Sequence, residues 1–148
     1  MSMTNIKVGD ILEYQPIDNN MPVFFHNRKD AGYDLYITKT TWIWPFKINK
    51  VPVNMKIILP DNTFGLITGR SSTTEKSIMI VNGIIDETYR GTPHVEAYKI
   101  GLLPKRIKAG ARIAQMIVSP YVEPNMVSST ISNDTARGDK GFVSTGGK

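Results

Sequence analysis

The residues whose types and spacing could do chemistry are concentrated in one stretch, VNGIIDETYRGT (81–92). Asp86 follows the apolar pair Ile84–Ile85, so its carboxylate is expected at the edge of a buried strand, where desolvation would raise its basicity. Gly83 and Gly91 flank the run and predict a tight hairpin whose backbone faces a ligand. Tyr89 lies on the far side of the same turn. A plain hairpin with a solvated acidic tip is the competing reading. Histidine occurs only at positions 26 and 94, so a His-based triad or a multi-His metal site is not expected. If the chain is an enzyme, its base is a carboxylate.

Four further stretches carry polar groups that could serve such a base. In GRSST (69–73), the guanidinium of Arg70 and the hydroxyls of Ser71 and Ser72 suit phosphate oxygens; a polar strand end is the alternative. In DAGYDLY (30–36), Asp34 follows a small-residue turn and could equally satisfy turn amides. In ARIAQMIV (111–118), Arg112 and Gln115 interrupt an apolar strand and need buried partners, which a ligand or Asp86 would supply. The last stretch, RGDKGFVSTGGK (137–148), sets one aromatic, Phe142, among phosphate-binding groups: Arg137, Lys140, Ser144, Thr145 and glycine amides. A terminus of this composition ordinarily frays, yet it is built like a ligand clamp.

The elements that position these residues are short. The chain, 148 residues with 41% apolar and 21% charged side chains, fits one globular domain. Nine prolines and twelve glycines punctuate it, and no helix-period segment of about ten residues or more stands out. The runs DLYIT, VNMKIIL, FGLITG, SIMIV, VEAYKI and RIAQMIV predict strands of an all-β sandwich or barrel. LPDNTFG predicts a hairpin turn between two of them. TTWIWPFK is expected to be a core-capping loop, with a partner-contact patch as the alternative. From about Ser128 the chain is polar and predicts an arm leaving the body. There is no cysteine, hence no disulfide and no thiolate metal site. No apolar run approaches the ~20 residues of a membrane span, and no signal-peptide core precedes the first strand. A location inside the cell and no membrane partner are expected. The net charge of +5 favours anionic partners; its scattered cations suit nucleic acid and a small phosphorylated ligand alike.

AGYDL, GRSS, GIIDETYRG, RIAQ and RGDKGFVSTG, in this order across residues 31–146, resemble the five motifs of trimeric dUTPases. The resemblance implies a jelly-roll-like β barrel of the β-clip type over residues 1–127. It implies an arm over 128–148 that closes on the active site of a neighbouring subunit in a homotrimer. It also implies hydrolysis of dUTP to dUMP and pyrophosphate with Mg²⁺, which keeps uracil out of DNA and supplies dUMP for thymidylate synthesis. Asp86 would activate water and hold the sugar 3′-hydroxyl, with Gln115 helping to place the water. Tyr89 would pack under the deoxyribose and exclude a 2′-hydroxyl. The backbone from Asn82 through Gly83 and Ile84 to Ile85 would select uracil. Arg70, Ser71, Ser72 and Arg137 would bind phosphates, Phe142 would cover the base, and Val143, Ser144 and Thr145 would complete the lid. No residue would ligate the metal directly; Mg²⁺ would use phosphate oxygens and water, with Asp34 in its outer shell. No nucleic-acid or membrane partner is implied, and the location is the cytoplasm, or the host-cell interior for a viral chain.

This sequence departs from the family pattern at Gly69 (usually Pro), Thr88 and Ala111 (each often Asp), the Thr92–Pro93 pair, and Lys140 and Val143 (usually Gly). A β-branched residue at 143 resists the left-handed backbone a glycine adopts. Two rivals share the fold: a dCTP deaminase-like enzyme, for which Glu96 is the nearest extra carboxylate, and a regulatory or protein-binding module gated by dUTP.

Overall fold

The computed structural model describes residues 10–141; Phe142, Val143, Ser144 and Thr145, expected in the lid, lie outside them. In chain order the elements are β1 (Glu13–Gln15), β2 (Phe24–Phe25), β3 (Tyr33–Tyr36), β4 (Thr41–Ile43), β5 (Asn49–Pro52), β6 (Lys56–Ile58), β7 (Thr63–Gly69), α1 (Ser71–Glu75), β8 (Ile78–Val81), β9 (Gly83–Ile85), β10 (His94–Lys99), β11 (Lys105–Ile107) and β12 (Arg112–Pro120). Each of the six expected runs contains a strand. The strands not expected are β5, of four residues, and β1, β2, β4, β9 and β11, of two or three, short lengths for a period to show.

The strands form four sheets, ordered β2-β3-β12-β7-β9, β5-β10-β8, β1-β6 and β4-β11, with every strand pair antiparallel. The result is a jelly-roll-like β fold; no closed barrel forms among the described residues. Alternation carries the packing: along β7, Thr63, Gly65 and Ile67 are buried while their neighbours are half-exposed. One apolar cluster joins the sheets, taking Leu35 from β3, Ile43 from β4, Val51 from β5, Ile78 from β8, Val95 from β10 and Met116 from β12, each 1% exposed or less. Sealing a side chain of this size contributes about 2 kcal/mol.

Two expected hairpins are absent. The LPDNTFG turn exists, with Asn62 at φ 63°, a left-handed backbone that asparagine tolerates. However, β6 before it pairs with β1, and β7 after it pairs with β12 and β9. The second expected hairpin, around Asp86, is likewise a change of sheet. β9 before it pairs with β7, while β10 after it pairs with β5 and β8. In both places the turn chemistry sets the bend while burial of the apolar faces chooses the partner.

Buried asparagines close the loops. Asn54, 1% exposed, accepts from the amides of Ile17 and Asp18 and donates to the carbonyls of Asp18, Met21 and Pro22. Asn49 does the same for the turn after β4, bonding Trp44, Lys47 and Ala97. The TTWIWPFK segment is therefore not a core cap. Ile43 alone enters the core, while Trp42 and Trp44 are each 48% exposed. Beyond Pro120 no strand or helix follows among the described residues, and 122–141 are exposed throughout.

Candidate active site

Residues directly opposite one another in antiparallel strands project to the same face. The five-stranded sheet uses this to build a polar row across its outer face. Phe25 of β2 opposes Asp34 of β3, Asp34 opposes Gln115 of β12, and Gln115 opposes Thr68 of β7. Thr68 Oγ1 then donates to Asn82 Oδ1 at 2.8 Å, just before β9. The inner-face neighbours Leu35, Ala114 and Ile67 are core, which locks the register, because a slip of one residue would bury the polar row.

One end of this row is a cleft of about 370 Å³ lined by Phe25, Gly32, Asp34, Arg70, Arg112 and Gln115. Asp34 is shared between two guanidiniums, with Arg70 Nε 3.0 Å from Oδ1 and Arg112 Nη1 3.2 Å from Oδ2. Arg70 also donates to the Arg112 carbonyl at 2.7 Å, and the Arg112 guanidinium lies 4.1 Å from the Phe25 ring centroid. Both arginines are thus aimed before any ligand arrives; Asp30 also lines the cleft, so its two guanidiniums face two carboxylates. A Cβ at Gly32 would overlap the Gln115 side chain, so the glycine of AGYDL makes room for that amide, whose Nε2 donates to the Gly69 carbonyl at 2.9 Å. Gly69 meets only ordinary contacts with Ile80 and lacks a positive φ; its departure from the usual proline distorts nothing here.

Ser71 and Ser72 open α1, immediately after Arg70. Ser71 is exposed, Ser72 half-exposed, and α1 is pinned by Thr73, whose buried Oγ1 donates to the Ile113 carbonyl at 2.8 Å.

The second cleft, about 200 Å³, is lined by Ile67, Gly83, Ile84, Asp86, Tyr89 and His94, among others. Its wall is β9, the outer strand of the sheet, so one backbone edge of Gly83–Ile85 has no strand partner among the described residues. Asp86 begins the turn that follows, closed by the Tyr89 amide donating to the Asp86 carbonyl at 3.0 Å. Ile85 is buried but Asp86 itself is exposed. The expected desolvation of its carboxylate is therefore not supplied by this chain. Tyr89 Oη donates to the Thr92 carbonyl at 3.3 Å, and a Cβ at Gly91 would overlap the phenol; Gly91 is there for the close approach of that ring.

Sequence reading missed a clamp on this turn. Glu87 accepts from the Asn62 amide at 2.9 Å and from the Tyr121 hydroxyl. The Tyr121 amide in turn donates to the Asn62 carbonyl at 3.2 Å. The hydrogen bond from Tyr121, then that from Asn62, holds the Glu87 carboxyl below its ordinary range. The bond to Glu87 is also the main cause that pushes the Tyr121 hydroxyl up to about 12. The clamp ties the turn of Asp86 to the root of the C-terminal arm.

The structure therefore gathers Asp34, Arg70 and Gln115 in one cleft, and Gly83, Ile84, Ile85, Asp86 and Tyr89 in another. The two share no lining residue. Gln115 does not meet Asp86 within the chain. Arg137 lies in neither cleft; its guanidinium bonds the carbonyls of Lys140 and Gly141 in a local turn. Glu96 faces Val81 and Lys50 in its sheet and also lines neither cleft.

The dUTPase family profile matches residues 23–146. The chain is 36% identical over 127 residues to the deoxyuridine 5′-triphosphate nucleotidohydrolase of Clostridium kluyveri, covering 83% of this chain and 88% of that protein. It is 37% identical over 117 residues to the human mitochondrial deoxyuridine 5′-triphosphate nucleotidohydrolase, covering 78% and 46%. It is 35% identical over 118 residues to the Pol polyprotein of equine infectious anemia virus (strain Wyoming), covering 80% of this chain. It thus spans 10% of that viral polyprotein and less than half of the human protein. A mutant dUTPase of Staphylococcus bacteriophage 80alpha with dUpNHpp superposes with a TM-score of 0.81 at 24% identity, over 92% of this chain and 98% of that one. Motif order, fold and similarity converge: the chain belongs to the dUTPase family.

Proposed function

We propose that this chain hydrolyses dUTP to dUMP and pyrophosphate, at sites completed between subunits of a homotrimer. The observation that carries the reading is the second cleft, where an unpartnered backbone edge, an exposed carboxylate and a tyrosine ring held by Gly91 converge. The β9 edge and Asn82 present fixed donors and acceptors to a base. Uracil satisfies them; cytosine, with donor and acceptor exchanged, leaves them unpaired, a mismatch worth factors of about 10⁴. The Tyr89 ring packs against the sugar and leaves no room for a 2′-hydroxyl. Asp86 accepts a proton from water as the oxygen attacks phosphorus; the P–O bond to the outgoing pyrophosphate breaks, and the proton leaves with solvent.

Neutralising the phosphates falls to the other cleft. Arg70, aimed by Asp34, with Ser71 and Ser72 beside it, provides charge-assisted donors at positions set before binding, which lowers the reorganisation cost of the transition state. No single chain brings these groups to Asp86, which supports a site shared across chains. The exposed apolar residues of the arm, Met126, Val127 and Ile131, more than 80% exposed, support packing on a neighbour. Arg137 and the residues from Phe142 to Thr145 then close over the nucleotide. Ordering such a segment costs about 1 kcal/mol or more per residue, so closure depends on the triphosphate.

Among the described residues no three His, Cys, Asp or Glu side chains gather to hold a metal, and Asp34 is committed to two arginines. That donor set fits a hydrated Mg²⁺ that would be carried by phosphate oxygens and water, with Asp34 in its outer shell. When bound, the ion supplies charge neutralisation of the triphosphate.

The test is pyrophosphate release from dUTP, dTTP, dCTP and UTP by the wild type and Asp86→Asn. Turnover of dUTP alone, lost in the variant, is expected. Ammonia from dCTP would point to the deaminase, and dUTP binding without turnover to the regulatory module.

A further inference from the structure

A second face shares no residue with the lining of either cleft. It lies at the C-terminal end of β10, about 17 Å along the strand from His94, which lines the cleft of Asp86. Here β4 pairs with β11, and Pro45 bridges to Lys99, bringing segments 41–48 and 99–107 side by side. Trp42 and Trp44 stand with ring centroids 6.1 Å apart, and Arg106 opposes Trp42 on the outer face. At the apices of the two flanking turns, Phe46 is 86%, Leu102 79% and Leu103 76% exposed. Phe46 holds a positive φ of 64°, and Asn49 fixes its turn through four hydrogen bonds. The display is built, not incidental.

Charge frames it. Segments 39–50 and 99–108 contain no Asp or Glu and seven Lys or Arg. Lys50 opposes Glu96; Lys39, Lys47, Lys99, Lys105, Arg106 and Lys108 remain. A second copy of the same face would set these cations against each other. A nucleic acid would use the cations and the aromatic rings but leaves Leu102, Leu103 and Ile48 without a role. Leu102 and Leu103 are consecutive and both three-quarters exposed or more, an apolar protrusion that would need a matching pocket on a rigid partner. A fluid surface needs no such pocket.

We propose that this face docks on an anionic lipid surface, with Phe46, Leu102 and Leu103 entering the headgroup–acyl boundary, Trp42 and Trp44 at the interface, and the lysines and Arg106 on the headgroups. No described helix is long and apolar enough to cross a membrane; the contact is peripheral, and it revises the expectation of no membrane partner.

The experiment is co-sedimentation of the full chain with phosphatidylserine–phosphatidylcholine vesicles, against phosphatidylcholine alone, at physiological ionic strength. Two variants accompany it, Phe46→Ser/Leu102→Ser/Leu103→Ser and Arg106→Glu/Lys108→Glu. Binding to the anionic vesicles, weakened about ten-fold or more by each variant with dUTP turnover unchanged, is expected. The proposal is overturned by no binding, or by binding that the apolar variant leaves intact, which is plain attraction to a basic protein. It is equally overturned if the same variants abolish capture of a single-stranded oligonucleotide or self-association instead.

Discussion

Asp34 lies inside the five-stranded sheet, between β2 and β12, whereas Asp86 lies just past its outer strand β9, and their surroundings are opposite. Asp34, with 13% of its side chain exposed, has a guanidinium on each oxygen. Asp86 is exposed and makes no ion pair or side-chain hydrogen bond among the described residues. The difference separates a carboxylate that builds from one that reacts. A base engaged by two cations would be a poor proton acceptor, whereas an arginine left unheld would lose side-chain entropy on meeting phosphate. Each cleft lacks what the other has: one holds the two guanidiniums, the other the exposed Asp86 with no arginine or lysine in its lining.

The largest effect that could break this comparison is Asp86→Asn. It is expected to lower kcat about a thousand-fold while leaving KM and the unfolding midpoint where they were. A matching loss of stability would mean that Asp86 builds as well. Asp34→Ala comes next and should act in reverse. Arg70 and Arg112 are then left facing each other, costing about 2 kcal/mol, less than a buried pair because both arginines are partly exposed. KM for dUTP should rise about ten-fold with kcat at saturation changed less. Denaturant titration and steady-state kinetics separate the two outcomes.

Gly91→Ala sharpens the account of the second cleft. The new methyl collides with Tyr89, so preference for dUTP over UTP should fall about ten-fold, measured as the ratio of kcat/KM values. Smallest is Tyr121→Phe, which frees the turn from the arm root and should reduce kcat a few-fold. The clamp also has a pH signature. Glu87 is held below its ordinary value of 4.5, so its contribution is complete above that pH and fades as the pH falls through the lowered value. Tyr121 is raised from 10.0 to about 12, so its contribution is complete below 10.0 and is lost as the pH climbs toward 12. Both groups lie near the surface and are screened, so the two limbs should be shallow, and Tyr121→Phe should flatten the alkaline one.

Much of this was legible in the residues. Six strands, β3, β6, β7, β8, β10 and β12, announce themselves as short β-type runs, and the motif residues Asp34, Arg70, Asp86 and Tyr89 all line clefts. What was not legible follows from partners distant in the chain. The LPDNTFG turn and the turn around Asp86 look like hairpins because their local chemistry suits a bend, and nothing local says which strand waits on the other side. Glu87 reads as a solvated neighbour of Asp86 until Tyr121, thirty-four positions away, is folded beside it. Asn54 does not stand out, because the backbone groups it satisfies, from Ile17 to Pro22, are more than thirty positions away; Asn49 likewise reaches the Ala97 carbonyl. The separation of the two clefts is a three-dimensional fact that motif order conceals.

That separation is the claim most worth testing, by mixing two inactive chains. Asp86→Asn and Arg70→Ala each disable one cleft, and equal amounts refolded together should form mixed assemblies. If the clefts of different chains complete one another, dUTP turnover returns to roughly a quarter of the wild-type value, the chance that one site draws both intact clefts. If turnover stays at the sum of the two parents, base and cations act within one chain, and the shared site is wrong.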